Sequence, residues 1–136
     1  MSKAESCKAA KDSTRPRTNA QTAGDLAEAL AAEYLIEQGL RIVTRNFRIK
    51  GGEIDLIAED GRTIVFVEVR LRRNSAFGSA GESITVHKQR RIVLAARLYL
   101  ARHPALYERA CRFDCLLLDA LSGNNIEWVR DAFSAD

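Results

Sequence analysis

From residue 22 onward the chain divides into stretches with distinct apolar periods. Leu26, Ala27, Leu30, Ala31, Tyr34 and Leu35 recur at three- and four-residue spacing, which predicts a helix over about 23–38. Thr22 followed by Asp25 resembles a capping box, and Gly39 closes the element. Residues 40–47 alternate as a strand, Gly51-Gly52 interrupts it, and 53–58 read as a second strand. Asp60-Gly61 is a two-residue hairpin signal, and 63–71 form the third and most strand-like run. A loop over 72–84 leads into a helix of about 85–103, ended by Pro104, whose core stripe is Ile92, Val93, Ala96, Tyr99 and Leu100. Residues 111–118 and 126–130 are the fourth and fifth strands, separated by a turn at 122–125. The order α-β-β-β-α-β-β, with no internal repeat, predicts an α/β fold: a mixed five-stranded sheet flanked by helices, the second helix crossing between the strand groups.

Residues 1–20 mix Ser, Thr, Lys, Ala and Pro16 without an apolar period and read as a disordered basic arm before a single domain at 21–136. Composition narrows the class. No run approaches the roughly 18 apolar residues of a membrane span, the first residues lack the apolar run of a secretory signal, and three Cys make no disulfide framework. A cytoplasmic protein with no membrane partner is expected. The net charge of +3 resides in the arm, and the other 116 residues carry sixteen basic and sixteen acidic side chains. What the body shows is segregation: Arg outnumbers Lys sixteen to five, in clusters at Arg41/Arg45/Arg48/Lys50, Arg70/Arg72/Arg73 and Lys88/Arg90/Arg91. Arg favours bidentate phosphate contacts, although it is also a common solvated residue.

The hairpin carries the chemistry. With Asp60-Gly61 as its loop, Asp55 faces Phe66 and Glu53 faces Glu68, so that Glu53, Asp55, Glu68 and Arg70 share one side. Ile54, Leu56, Val65, Val67, Val69 and Leu71 share the other, which must be core. Opposed like charges need a compensator, either Arg70 and its neighbours or a hard divalent cation. Oxygen-only ligands from two or three carboxylates suit Mg2+, which can polarise a phosphodiester and activate water. A charged network without metal is the other arrangement these residue types allow. Glu28 falls on the shoulder of the first helix's apolar stripe, within reach of the sheet edge. Cys111 and Cys115 lie about 13 Å apart at strand rise, too far to bridge, and read as small buried residues. His87 and His103 share no metal spacing, and Trp128 alternates with Ile126 as a core residue. Leu94 and Leu98, on the outer side of the second helix, mark a self-association face or a second core contact.

Gly24-x-x-Ala27-Glu28, Arg45-Asn46, Gly52-Glu-Ile-Asp-Leu-Ile57, Phe66-Val-Glu-Val-Arg-Leu-Arg72, Phe77-Gly78 and Lys88-Gln89 together resemble the YraN-like family of small bacterial proteins, over about 22–133. The resemblance implies kinship with Holliday-junction-resolvase and restriction-endonuclease-like nucleases, and hence a restriction-endonuclease-like fold. Their pattern is an acid on the first helix, an Asp entering the second strand and Glu-x-Lys on the third. Glu28, Asp55 and Glu68 match the acids, and Arg70 stands at the lysine position. The implied activity is Mg2+- or Mn2+-dependent hydrolysis of DNA, on branched or structured substrates. Asp55 and Glu68 would hold metal, Glu28 and Glu53 would complete the shell, and Arg70 would stabilise phosphate charge. Arg48, Lys50, Arg72, Arg73, Lys88, Gln89 and Arg91 would contact nucleic acid, and a homodimer is in keeping with resolvases. The departure at Arg70 matters because Arg cannot act as a general base. Either metal alone activates the water, or Lys88 or Lys50 reaches in, or the fold survives as an inactive module that binds nucleic acid or a protein partner.

Overall fold

A computed structural model describes residues 19–72, 84–119 and 125–135 of the chain. The elements run α1 (Asn19–Glu37), β1 (Arg41–Ile49), β2 (Gly52–Asp60), β3 (Thr63–Leu71), α2 (Val86–Ala101), a 3-10 turn (Pro104–Leu106), β4 (Cys111–Leu118) and β5 (Ile126–Phe133). The strands form one sheet in the order β1-β2-β3-β4-β5. β3 and β4 are parallel, joined through α2, and the other neighbours are antiparallel. This is the mixed sheet between two helices that the apolar pattern predicts, and the architecture is restriction-endonuclease-like. No helix among the described residues is long and apolar enough to cross a membrane.

The two sheet faces are both apolar because each carries a helix. On one, Ala27, Ala31, Ala32 and Leu35 of α1 pack over Leu56, Ala58, Val65, Val67, Leu116 and Leu118. The small alanines let α1 lie close to the sheet. On the other, Ile92, Val93, Ala95, Ala96 and Tyr99 of α2 cover Ile54, Ile57, Ile64, Phe66 and Phe113. α1 starts at Asn19, inside the expected arm, so Thr22 lies within the helix rather than capping it. Leu26, assigned to its buried stripe, is 48% exposed. At the other end Gly39 takes φ 99°, and the Leu40 N–H returns to the Leu35 carbonyl at 3.0 Å, a Schellman closure.

The hairpin register differs from the expected one by two residues. Asp60 pairs with Thr63 and the turn is Gly61-Arg62, with Gly61 at φ 61°. A two-residue turn that needs positive φ at its first position selects glycine there. Asp60 therefore remains in the strand, and its carboxylate meets Arg112 at 3.0 Å. The new register keeps Glu68 on the α2 face but sets it level with Asp55. The expected partition of the hairpin into one charged and one apolar side does not hold, since Ile54, Ile57, Ile64 and Phe66 are core on the α2 side.

Gly52 fixes α2 against this hairpin. A Cβ at Gly52 would stand 2.3 Å from the Arg91 carbonyl oxygen, a backbone atom in mid-helix. Gly52→Ala is expected to lower the unfolding free energy by about 2–3 kcal/mol, the range for overpacking against an unyielding neighbour. Urea denaturation measures this. A change under about 0.5 kcal/mol would show that α2 can slide without cost.

Candidate active site

The site grows from a split in the sheet. The β2–β3 ladder ends at Leu56 opposite Val67, although β2 continues beside β1 to Gly52 and β3 continues beside β4 to Leu71. Side-chain alternation breaks at the same place: Leu56 points to α1, whereas Ile54 and Ile57 both pack on the α2 side. Asp55 occupies the break. Its Oδ2 accepts the Val69 N–H at 2.9 Å, substituting a side-chain oxygen for a strand carbonyl. Across β1, Asn46 takes the left-handed conformation at φ 53°, which an asparagine tolerates.

Five further groups converge on this split. Glu28 comes from α1 and is half-buried. Burial, then the Asp55 charge and a hydrogen bond shared with Asp55, push its carboxyl up to about 7, against the opposing pull of Asn46 and Arg48. Glu68 is 5% exposed. Its burial, followed by the Asp55 charge and a hydrogen bond shared with Asp55, pushes its carboxyl up to about 8, opposed by Lys88 and Arg70. Glu68 Oε1 is buried with no hydrogen-bond partner among the described residues. Its other oxygen faces cations, with Lys88 Nζ at 3.7 Å and Arg70 Nη1 at 3.8 Å. Lys88 Nζ also lies 3.6 Å from Glu53 Oε2 and so bridges the two glutamates. Glu68 in turn pushes the buried Cys115 thiol, already raised by desolvation, up to about 12.

The residues expected to contact nucleic acid separate into two groups. Arg48 and Lys50 are exposed, and Arg48 acts electrostatically on Glu28. Lys50 precedes the β1–β2 turn glycines, of which Gly52 lies against the backbone of α2 at the Arg91 carbonyl. Arg72 and Gln89 serve the fold. Arg72 pairs with Asp119 at 2.7 Å and Glu127 at 3.3 Å, and the Gln89 amide donates to the Ile84 carbonyl at 3.0 Å. Lys88 belongs to the carboxylate cluster. Arg73 and Phe77-Gly78 lie outside the described residues, as do most of the expected arm and loop. His103 is engaged with the Tyr99 carbonyl at 2.7 Å, and Cys111, expected to be buried, is exposed at the start of β4.

Among the described residues, no three of His, Cys, Asp and Glu stand close enough together to hold a metal ion. The donor chemistry nevertheless fits a hard divalent cation. The acids at the split offer oxygen only, and a buried carboxylate oxygen without a partner is a group that an ion or a proton satisfies. Asp55 and Glu68 would supply two of the donors, and Glu28 and Glu53 would have to close on them, Glu53 with Lys88 moved aside.

An α/β domain whose sheet splits beside three acids, one from the first helix and two from adjacent strands, falls in the restriction-endonuclease-like class. Comparison with known proteins gives the membership: the chain belongs to the family described as Uncharacterised protein family UPF0102, which matches residues 27–118. A UPF0102 protein of Dechloromonas aromatica is 58% identical over 113 residues, 83% of this chain and 89% of that protein. One from Methylobacillus flagellatus is 50% identical over 112 residues, 82% and 96% of the two chains. The UPF0102 protein YraN of Salmonella newport is 49% identical over 124 residues, 90% and 92% respectively.

Proposed function

We propose that this chain is a divalent-metal-dependent nuclease that hydrolyses DNA phosphodiester bonds on branched or otherwise structured substrates. The observation that carries this reading is Glu68: a carboxyl group 5% exposed, hydrogen-bonded with Asp55 where the sheet opens, with Oε1 buried and without a cationic or N–H partner among the described residues. Burial beside Asp55 makes the ionised form of Glu68 costly, so that without a cation the carboxyl is driven to hold a proton. A site that binds a cation gains its charge complement. Asp55 and Glu68, with Glu28, would hold Mg2+ or Mn2+, which when bound supplies Lewis-acid polarisation of the phosphodiester. Arg48, which acts electrostatically on Glu28, would take a flanking phosphate, and Lys50 and Arg91 would add point or bidentate contacts.

The test is calorimetric titration of Mg2+ and Mn2+ into wild type and Asp55→Asn, followed by cleavage of branched, flapped and linear DNA. Saturable binding to wild type, abolished in the variant, is expected, with cleavage reduced on the order of a hundredfold or more. One observation favours a second reading, a nuclease fold retained as a nucleic-acid-binding module: Lys88 already lies against two of the acids, as an internal cation would. DNA binding without metal uptake or cleavage, with DNA present, would establish that reading instead.

A further inference from the structure

Phosphoryl chemistry at a carboxylate site needs a positive group that approaches the reacting phosphate without being locked into the fold. The third strand supplies Arg70 at this point, 3.8 Å from Glu68 and 36% exposed in its side chain. Beyond the first 20 residues the chain has fourteen arginines and only two lysines, Lys50 and Lys88. One of those two enters the acid cluster.

Three features hold Lys88 where it is. Thr85 Oγ1 accepts the Lys88 N–H at 3.1 Å and caps α2, so Lys88 lies in the first turn of a fixed helix. The Gln89 side chain ties that turn to the Ile84 carbonyl, and Ile84 is buried against Cys115 and Leu117 of β4. The Gly52–Arg91 contact sets the helix against β2. The ammonium thus reaches the acids from the α2 layer, opposite to the layer that delivers Glu28. Yet its own contacts are long, at 3.6 and 3.7 Å, and its side chain keeps 28% of its surface. A flexible stem with a point charge, loosely held between two carboxylates, can leave them for a phosphate oxygen. Arg70, lying alongside on β3, is bulkier and planar.

Resting on the nuclease reading above, we infer that Lys88 is the lysine of this active site, delivered from α2 instead of from the third strand. It acts as an internal counter-ion before substrate arrives and as a phosphate-contacting catalytic residue afterwards. In the hydrolysis a water oxygen forms the new bond to phosphorus while the bond to one ester oxygen breaks. One water proton reaches that departing oxygen through solvent, and the other stays with the new phosphomonoester or is released. Lys88 transfers no proton. It donates a hydrogen bond to a non-bridging oxygen where charge accumulates.

The two roles predict opposite effects of one substitution. Lys88→Met removes a unit charge lying against two metal-donor oxygens, so calorimetry should show Mn2+ binding to the free protein tightened by about tenfold. The same variant should cut DNA about a hundredfold more slowly, a larger loss than Arg70→Met produces. Lys88→Met/Arg70→Lys, which returns a lysine to β3, should recover at least about tenfold of the lost rate. A misfolded variant cannot bind metal more tightly, so the split between the two readouts separates catalysis from structure. Wild-type cleavage by Lys88→Met, or weakened Mn2+ binding together with lost cleavage, would overturn the inference, the second result marking a purely structural clamp. Wild-type protein that neither binds Mn2+ nor cuts DNA would overturn the nuclease reading itself, a result obtained before any substitution is made.

Discussion

Asp114→Ala is expected to lower the unfolding free energy by about 3–5 kcal/mol, the range for removing one partner of a buried ion pair. Asp114 is fully buried on the α1 face of β4, and both carboxylate oxygens are used. Arg112 Nε donates to Oδ1 at 3.0 Å and Oδ2 at 3.1 Å, Trp128 Nε1 donates to Oδ2 at 2.9 Å, and the Asp131 N–H donates to Oδ1 at 2.9 Å. These bonds hold the irregular part of the β4–β5 ladder, where the register shifts between Phe113 and Cys115 and Asp131 takes φ 55°. Alanine would strand the Trp128 and Asp131 donors and leave Arg112 with Asp60 alone. Asn, which keeps an acceptor of the same shape, should cost about half as much. Urea midpoints at unchanged slope measure both. A loss below about 1 kcal/mol for alanine would mean that water or Asp60 replaces the whole network.

That network was not legible in the sequence, and the reason is instructive. Residues 111–118 read as a strand from their alternation, and the strand runs over the same residues. Whether an Asp within an apolar run is a surface residue or a buried acceptor depends on the strand beside it. The Trp128 indole that finds it is fourteen positions away in the chain, and the Asp131 amide seventeen. Local periodicity likewise recovers β3 and most of the α2 core stripe, because those positions answer to a single face each. It misplaces the hairpin turn by one residue at each flank, since Asp60-Gly61 and Gly61-Arg62 both suit a two-residue turn and the Asp60–Arg112 pair exists only in the folded chain.

The candidate site shows the same division. Glu28, Asp55 and Glu68 were identifiable as a set, and the structure couples all three at the split. The split itself has no local sequence signature, because it is a failure of β2 and β3 to keep pairing beyond Leu56 and Val67. Only the packing of α2, set against β2 at Gly52, brings Lys88 to the acids. Arg72 and Gln89 stood among the residues expected to contact nucleic acid, yet their partners, Asp119, Glu127 and the Ile84 carbonyl, need the folded chain.

Stability without divalent ions should fall between pH 5 and pH 9, by on the order of 3 kcal/mol. Most surface carboxylates do the reverse. Glu59, whose carboxyl is held below its ordinary value chiefly by the Arg41 hydrogen bond, contributes stability that is lost on acidification. Glu68 has the opposite sign. Its carboxyl titrates near 4.5 unfolded and at about 8 folded, so the folded chain holds a proton that the unfolded chain has released. The favourable contribution is complete below about pH 4.5 and is lost as pH rises through about 8, where burial must be sustained by an ionised acid. Glu28, raised to about 7, adds to the same trend with a smaller weight because it is half exposed to solvent. Thermal melts across this range, with a chelator present, measure the effect. Glu68→Gln should flatten the alkaline limb and melt higher than wild type at pH 9. Its neutral amide keeps the shape of the buried group and removes the charge that Asp55 opposes. A wild-type melting temperature that rises steadily from pH 5 to pH 9 would show that Lys88 and Arg70 compensate Glu68 in full. The acids at the split would then form a satisfied ionic network with no vacancy for a further cation.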